Sequence, residues 1–417
     1  MKTDKLPLSL YIHIPFCKKK CLYCDFLSAP ACAREREDYV KALLREISGM
    51  AKFCTEYKVI SVFFGGGTPS LLSAGQMERI MSAVRKGYYL CEDAEITVEC
   101  NPATAGLDKL SAYRASGINR LSIGLQSAND KELKELGRIH NYKQFHETFA
   151  SAREAGFTNI NVDIMSALPG QTYESYMNTL ASVIALKPEH VSAYSLIIEE
   201  GTPFYERYGK DISYEGAHGM ESEPMYPSLP DEDTERKMYH DTAKYLQRAG
   251  YTRYEISNYA RKGYECRHNM TYWTGIDYLG FGLGASSYFR GCRYKNISET
   301  DCYLKLCREL FRAWVPSFCA ENETINSMLT DETIMLTAED KMEEFMFLGL
   351  RLKKGVSRNR FEALFGVSMD TVYSSEITKL AEDGLLVQKD DRIRLSKKGT
   401  DVANYVMSRF ILEKDKL

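Results

Sequence analysis

Three cysteines crowd into eight residues of the stretch IPFCKKKCLYCDF: Cys17, Cys21 and Cys24. Thiolates ligate both iron–sulfur clusters and structural zinc, and a closed site of either kind uses four protein ligands. With three, one metal position stays open, and an open position is what separates a reactive metal centre from a structural one. A 4Fe–4S cubane held at three corners suits this spacing, because the loop is short enough to wrap one face and leaves the fourth iron for another ligand. A zinc ion completed by a distant His or Cys is the alternative. Lys18, Lys19 and Lys20 would offset a cluster's negative charge, although a solvated lysine run accounts for them as well. Most of the other cysteines, among twelve in all, stand singly or without a metal-ligand spacing and read as core or surface thiols.

Other unusual residues follow at intervals. FFGGGTPSLL sets Gly65, Gly66 and Gly67 after an apolar run, where glycines let backbone approach a ligand closely; a plain tight turn is the other reading. Glu99, in TVECNP, is a carboxylate at the end of an apolar stretch. It reads either as a salt-bridge partner or as a group that bonds vicinal ribose hydroxyls.

The elements that must carry these residues repeat one pattern from Leu8 to Ile198. The apolar runs LSLYIHI, VISVFFG, EITVEC, RLSIGLQ, NINVDIM and HVSAYSLII alternate with amphipathic stretches such as SAGQMERIMSAVRKG and YKQFHETFASAREAG. Strands alternating with helices predict a parallel sheet of β/α units, and near-continuous apolar strands predict that both its faces are covered. Special residues fall at or near the end of every strand: the cysteine loop, GGGTP, Glu99, Gln126, Asp163 and Ile197. One shared site ringed by strand ends is the arrangement of barrel enzymes, so the expected fold is a partial (β/α)6 barrel over residues 1–208 rather than a doubly wound sheet. Residues 209–233, rich in Gly, Pro, Ser and acid, read as an exposed loop. A helix ending at Gly250 and an aromatic-dense region with short strands fill 234–337, an α/β extension. Residues 338–417 read as three helices and a hairpin, a winged-helix-like domain.

CxxxCxxC after the first strand of a β/α array resembles the motif of the radical S-adenosylmethionine (SAM) family. The resemblance implies that the amino and carboxylate groups of SAM take the vacant iron, and that an electron from the cluster splits the sulfonium to a 5′-deoxyadenosyl radical. It further implies SAM contacts from Gly67, Thr68 and Pro69, from Glu99 at the ribose, and from Tyr11, Tyr23, Phe26, Gln126, Arg138, Asp163 and Ile197. Taken singly, Arg138 reads as an Arg on a helix, usually a solvated face, and Asp163 as the cap of a turn; their register along one pattern carries the inference.

LYIHIPFC, ECNP, GLQS, LPGQT, SLIIEEGTPFY, YEISNYA and ECRHNMTYW extend the likeness to the oxygen-independent coproporphyrinogen III oxidase-like group. Two branches compete there: the oxidase, which decarboxylates propionates in porphyrin biosynthesis, and the HemW-type haem chaperones, which bind haem and pass it to acceptor proteins. The oxidase carries a fourth cysteine two residues after the third and a longer segment before the motif. Here that position is Phe26 and the first cysteine is already Cys17. HNMTYW, His268 to Trp273, resembles the chaperone's HNxxYW haem motif. Imidazole is a standard axial ligand of haem iron, and Tyr272 and Trp273 offer flat apolar faces to a porphyrin. A lone His among aromatics is otherwise a hydrogen-bonded core residue. Cys266 is a second ligand or an inert thiol.

The expected protein is therefore a haem chaperone using a 4Fe–4S cluster, SAM and haem, with the oxidase or another radical SAM enzyme as alternative. Its expected partners are haem and haem-accepting proteins, with a homodimer implied by the family alone. A net charge of -3 gives no general attraction to nucleic acid. From Glu339 to Leu417 the chain has 15 Lys/Arg against 14 Asp/Glu, which argues against a DNA-binding wing and a zinc-stabilised regulator. With neither a signal-like start nor a membrane-length apolar run, a cytoplasmic protein not integral to a membrane is expected.

Overall fold

A computed structural model describes residues 5–209, 226–309 and 329–412. Six strands, β1 (Leu6–Ile14), β2 (Tyr57–Gly66), β3 (Leu90–Cys100), β4 (Arg120–Gln126), β5 (Ile160–Ser166) and β6 (His190–Ser195), lie side by side in sequence order. Each pairs in parallel with the next. A doubly wound sheet would reverse its order at a switch point; this one does not, which is the topology of a partial barrel. The connections carry α1 (Ala33–Met50), α2 (Ala74–Gly87), α3 (Leu107–Ala115), α4 (Asp130–Glu135), α5 (Tyr142–Glu154) and α6 (Tyr173–Ala185).

Local chemistry starts the helices where the sequence predicts. Ser73 accepts from the Gln76 N–H while the Gln76 side chain returns to the Ser73 N–H, a capping box that opens α2; Asn141 and Gln144 do the same for α5. The β4 and β5 strands are buried along almost their whole length, as double coverage by helices requires.

Beyond Ile198 the chain does not form a body apart from the barrel. After α7 (Pro203–Tyr208) and α8 (Glu232–Arg248), β7 (Thr252–Arg253) and β8 (Asn258–Ala260) extend the sheet past β6. Following α9 (Arg267–Thr274), β9 (Tyr278–Phe281) pairs in parallel with β1. Then β10 (Ser286–Phe289), β11 (Cys292–Asn296) and, after α10 (Thr300–Glu309), β12 (Thr330–Met335) continue antiparallel. The result is one 12-stranded sheet. Its core is shared: Phe281, Phe289 and Tyr303 from the extension pack in the same apolar cluster as Leu10, Phe64 and Val162. Asp231 caps α8 by accepting from the Thr234 N–H, and most of the expected exposed loop, 210–225, lies outside the described residues, as does 310–328 of the extension.

The C-terminal part has its own core around Met346, Phe361, Tyr373, Ile393 and Phe410. There α11 (Ala338–Gly349), β13 (Val356–Ser357), α12 (Arg358–Phe365) and α13 (Met369–Glu382) precede a hairpin of β14 (Leu386–Lys389) and β15 (Arg392–Leu395), then α14 (Lys397–Asp401) and α15 (Ala403–Ser408).

Two expectations need correction. Ile197 does not close the sixth strand: β6 ends at Ser195, and Ile197 lies in the following loop, 67% exposed. The last sheet-like bond there runs from the Leu196 N–H to the Ser166 carbonyl, after which β5 offers no further partner. Arg138 sits not on a helix but in the loop after α4, whose short span the sequence reading missed.

Candidate functional site

The cysteine loop is held at both ends by backbone. Gly67 donates its N–H to the Ile14 carbonyl at 2.9 Å and Thr68 to the Phe16 carbonyl at 2.7 Å, so the glycine turn after β2 clamps the segment leaving β1. A side chain at Gly67 would meet those same carbonyls, the Cβ falling 2.7 Å from the Phe16 oxygen. Gly66 has φ +105°, and a Cβ there would strike the His13 ring. With these N–H groups spent, a ligand's ammonium would meet acceptors here, which is what an ammonium needs. Cys17 Sγ lies 3.4 Å from Thr68 Oγ1, and Pro69 starts a buried 3-10 turn behind it.

His13 was not singled out in the sequence, although a lone polar ring in an apolar strand before the motif was a signal. Its Nε2 donates to the Leu27 carbonyl at 2.9 Å, tying down the loop's far end. Nδ1 is therefore the acceptor, taking the Tyr11 hydroxyl at 3.1 Å. Burial lowers the ring's pKa, consistent with that neutral form.

Cys17, Cys21 and Cys24 are free and partly exposed. Arg138 Nη1 donates to Cys21 Sγ at 3.6 Å and Nη2 to the Gly124 carbonyl at 2.7 Å, while its Nε is buried without a partner. A guanidinium against a thiol with one donor left over suits a site that will hold thiolates and an anionic group. Burial pushes the Cys24 thiol up to about 11, so metal binding there must displace a proton. Among the described residues, no three His, Cys, Asp or Glu side chains converge as ligands of a single metal ion would. A cubane, whose thiolates sit on separate irons, spreads its ligands wider than a tetrahedral zinc does.

Around this loop stand the other strand ends. Glu99 is partly buried, and burial, then the nearby Asp163, pushes its carboxyl up to about 8. Asp163 accepts from Ser122 Oγ at 3.1 Å and Asn161 Nδ2 at 2.7 Å. Gln126 has φ +71° at a register shift in β4, an uncommon conformation for a residue with a Cβ, and its Oε1 accepts from the Tyr194 hydroxyl at 3.3 Å. Tyr23 packs toward Phe204 and Arg138, with burial raising its phenol pKa; Phe26 is 62% exposed at the loop's rim.

His268 lies on the other side of Tyr11. Phe63 stacks on Tyr11 at 6.3 Å and on the His268 ring at 5.0 Å. Glu95, also unflagged by sequence, holds the start of α9 by accepting from the Arg267 and His268 N–H groups and the Cys266 thiol, which assigns Cys266 a structural bond. His268 is 1% exposed and both ring nitrogens are engaged. Ser61 Oγ donates to Ser9 Oγ at 2.7 Å and so must accept from His268 Nδ1 at 2.9 Å. Nε2 is then the acceptor for the Tyr272 hydroxyl, also at 2.9 Å. Burial, then the Arg120 charge, lowers the imidazole to about 3. Its lone pair is thus kept unprotonated but covered: ligation at His268 requires Tyr272 to let go.

Six parallel strands in sequence order, with a three-thiol loop after the first, define a radical SAM protein. The Radical SAM superfamily description matches residues 11–183, and the HemN C-terminal domain description matches 336–402. Within that class the chain belongs to the family of the haem chaperone HemW. The protein named Heme chaperone HemW in Lactococcus lactis subsp. lactis (strain IL1403) is 36% identical, over 98% of this chain and 98% of the relative. Its namesake in Bacillus subtilis (strain 168) is 34% identical, over 97% and 99%. The solved structure of coproporphyrinogen III oxidase (HemN) from Escherichia coli, described as a radical SAM enzyme, superposes with a TM-score of 0.79 at 25% identity, covering 98% of this chain and 90% of that one. Membership of the superfamily implies a 4Fe–4S cluster and SAM. No helix among the described residues is long and apolar enough to cross a membrane.

Proposed function

We propose that this protein is a haem chaperone: it binds haem at the α9 motif, carries a 4Fe–4S cluster on Cys17, Cys21 and Cys24 with SAM beside it, and delivers haem to acceptor proteins. The full-length likeness to proteins named as haem chaperones supports this, as does Phe26 standing where the oxidase has its fourth cysteine. The observation that carries it is the packing of the HNMTYW helix against Phe63 and Tyr11, which joins a histidine lone pair to the wall of the SAM cradle. When bound, the cluster supplies an open iron for the amino acid end of SAM. Glu99 is the ribose acceptor, Arg138 neutralises the thiolates, and Gly67, Thr68 and Pro69 line the ammonium side. Tyr11, Tyr23, Phe26, Gln126, Asp163 and Ile197 complete the contacts. His268 takes the haem iron through Nε2 once the Tyr272 hydroxyl swings away. Delivery takes place in the cytoplasm, from a protein able to pair as a homodimer.

Anaerobic cluster reconstitution followed by haem titration tests this. A Soret band that changes in His268→Ala, with coproporphyrinogen III left unconverted under reducing conditions, is the expected result. Turnover of coproporphyrinogen III would make the protein an oxidase and end the chaperone reading.

A further inference from the structure

A cavity of about 540 Å³ opens between the C-terminal end of α9 and the helices α11 and α12, outside the SAM cradle. That is within the size range of sites for cofactors. Its walls are apolar and aromatic, with Trp273, Tyr278, Phe345, Leu348 and Phe365 among them, and Tyr272 and Trp273 bring the HNMTYW helix to its edge. Trp273 Nε1 is buried without a hydrogen-bond partner, a donor that the protein alone does not satisfy.

The charges on this cavity are unbalanced. Arg293 on one wall is neutralised by Glu344 through two bonds of 2.5 and 2.8 Å. Lys354, Arg360 and Arg392 also line it, from three separate stretches of the C-terminal part, and among the described residues none of them makes an ion pair. Arg360 donates only to the Thr274 carbonyl at the end of α9 (2.7 Å), and Arg392 to the Gly355 carbonyl (3.4 Å). Burial and the charges of Arg392 and Arg360 together lower the Lys354 pKa, the expected signature of like charges held together. An apolar slot edged by Lys341, Lys354, Arg360 and Arg392, with no salt bridge on any of the four among the described residues and only the Asp391 carboxylate facing Arg392, fits a flat hydrophobic ligand bearing carboxylates.

We infer that this cavity is the haem site, with the macrocycle lying on Trp273 and Phe345 and its two propionates held by Lys354, Arg360 and Arg392. The inference rests on the reading of the protein as a haem carrier and adds to it a seat and a reason for the C-terminal part: that part supplies the anion clamp for a ligand whose iron ligand comes from α9. His268 reaches the cavity edge through Tyr272, so opening their hydrogen bond and admitting the macrocycle are one event.

The test compares haem with its dimethyl ester, which keeps the iron and macrocycle but has no carboxylates, on the full chain with its cluster reconstituted. Wild type should bind the ester at least about tenfold more weakly. A Lys354→Gln/Arg360→Gln/Arg392→Gln variant should bind both forms alike, at about the affinity of wild type for the ester, while Arg360→Lys/Arg392→Lys keeps the preference. Leu348→Trp, which fills the slot without changing charge, should weaken both forms. Thermal melts followed by circular dichroism verify that each variant folds, and Leu348→Trp decides the case if the triple variant does not. Equal binding of acid and ester by wild type, or undiminished affinity in Leu348→Trp, would overturn the site while leaving the chaperone reading intact. If wild type binds neither form, the chaperone reading itself fails.

Discussion

The cysteine loop and the α9 motif are separated by two aromatic rings, Tyr11 and Phe63, yet they are built in opposite ways. The loop is clamped by backbone N–H groups of Gly67 and Thr68 and by the His13 ring, and its thiols stay partly exposed, with an unpartnered Arg138 Nε beside them. The α9 site is the reverse. Its histidine is closed off, with Ser61 on one nitrogen and Tyr272 on the other, and Glu95 holds the helix start. One region leaves its thiols and a guanidinium donor open; the other is a closed, satisfied hydrogen-bond chain. Buried polar groups are costly to leave unpaired, so on the proposed reading the site for an intermittent cargo satisfies itself between visits, whereas the site for a resident cofactor need not.

The largest effect that tests this contrast belongs to the loop. Cys21→Ala removes one of three corners and the partner of Arg138, and reconstituted iron and sulfide should fall to background while the empty chain's melting temperature hardly moves. A large loss of stability instead would mean that the loop is structural. Next comes Glu95→Ala, which strips a charged acceptor from two N–H groups at the start of α9. A loss of about 2 kcal/mol in chemical denaturation is expected, together with weakened haem binding and normal cluster content. If cluster content falls as well, the two regions are not independent.

A pH series separates them further. The folded Glu99 carboxyl is raised from its usual 4.5 to about 8 by burial and Asp163. Between those values the folded chain holds a proton that the unfolded chain has lost, so its contribution to stability falls as pH rises through the window. Thermal melts from acid to alkaline pH should show this decline in wild type and a flatter profile in Glu99→Gln, which should also bind SAM more weakly. An identical profile in both proteins would remove Glu99 as a buried, protonated group. The smallest effect sharpens the comparison most. Tyr272→Phe deletes the cover on His268 Nε2 at a cost of about 1 kcal/mol, and haem association in stopped flow should become faster. Slower association would mean that Tyr272 guides haem in rather than keeping it out.

Much of the barrel was legible because its signals are local. Alternation of apolar strands with amphipathic helices gave six β/α units, while the glycines of GGGTP, read as an approach to a ligand or a tight turn, bring Gly67 against the chain's own Phe16 carbonyl. Other features were not, because their partners lie far along the chain. Glu95 reads as the polar start of a strand until α9 arrives against it, and Ile197 reads as strand until β5 runs out of partners. The extension after Ile198 looked separate in composition, yet β9 pairs with β1 through a backbone pattern that no side chain advertises.

By itself, then, the sequence determined which residue types stand ready for metal chemistry. Three thiols, their spacing and the glycine turn one unit later are covalent facts, and chemistry of that kind depends on residue type and short loops. Tertiary structure decided access. Whether His268 presents a lone pair or hides it depends on Ser61 and Tyr272, and whether Lys354, Arg360 and Arg392 are scattered surface charges or one unbalanced cluster depends on how α12 and β15 fold against α9. Burial and charge balance are sums over neighbours in space, and those neighbours exist only once the chain has folded.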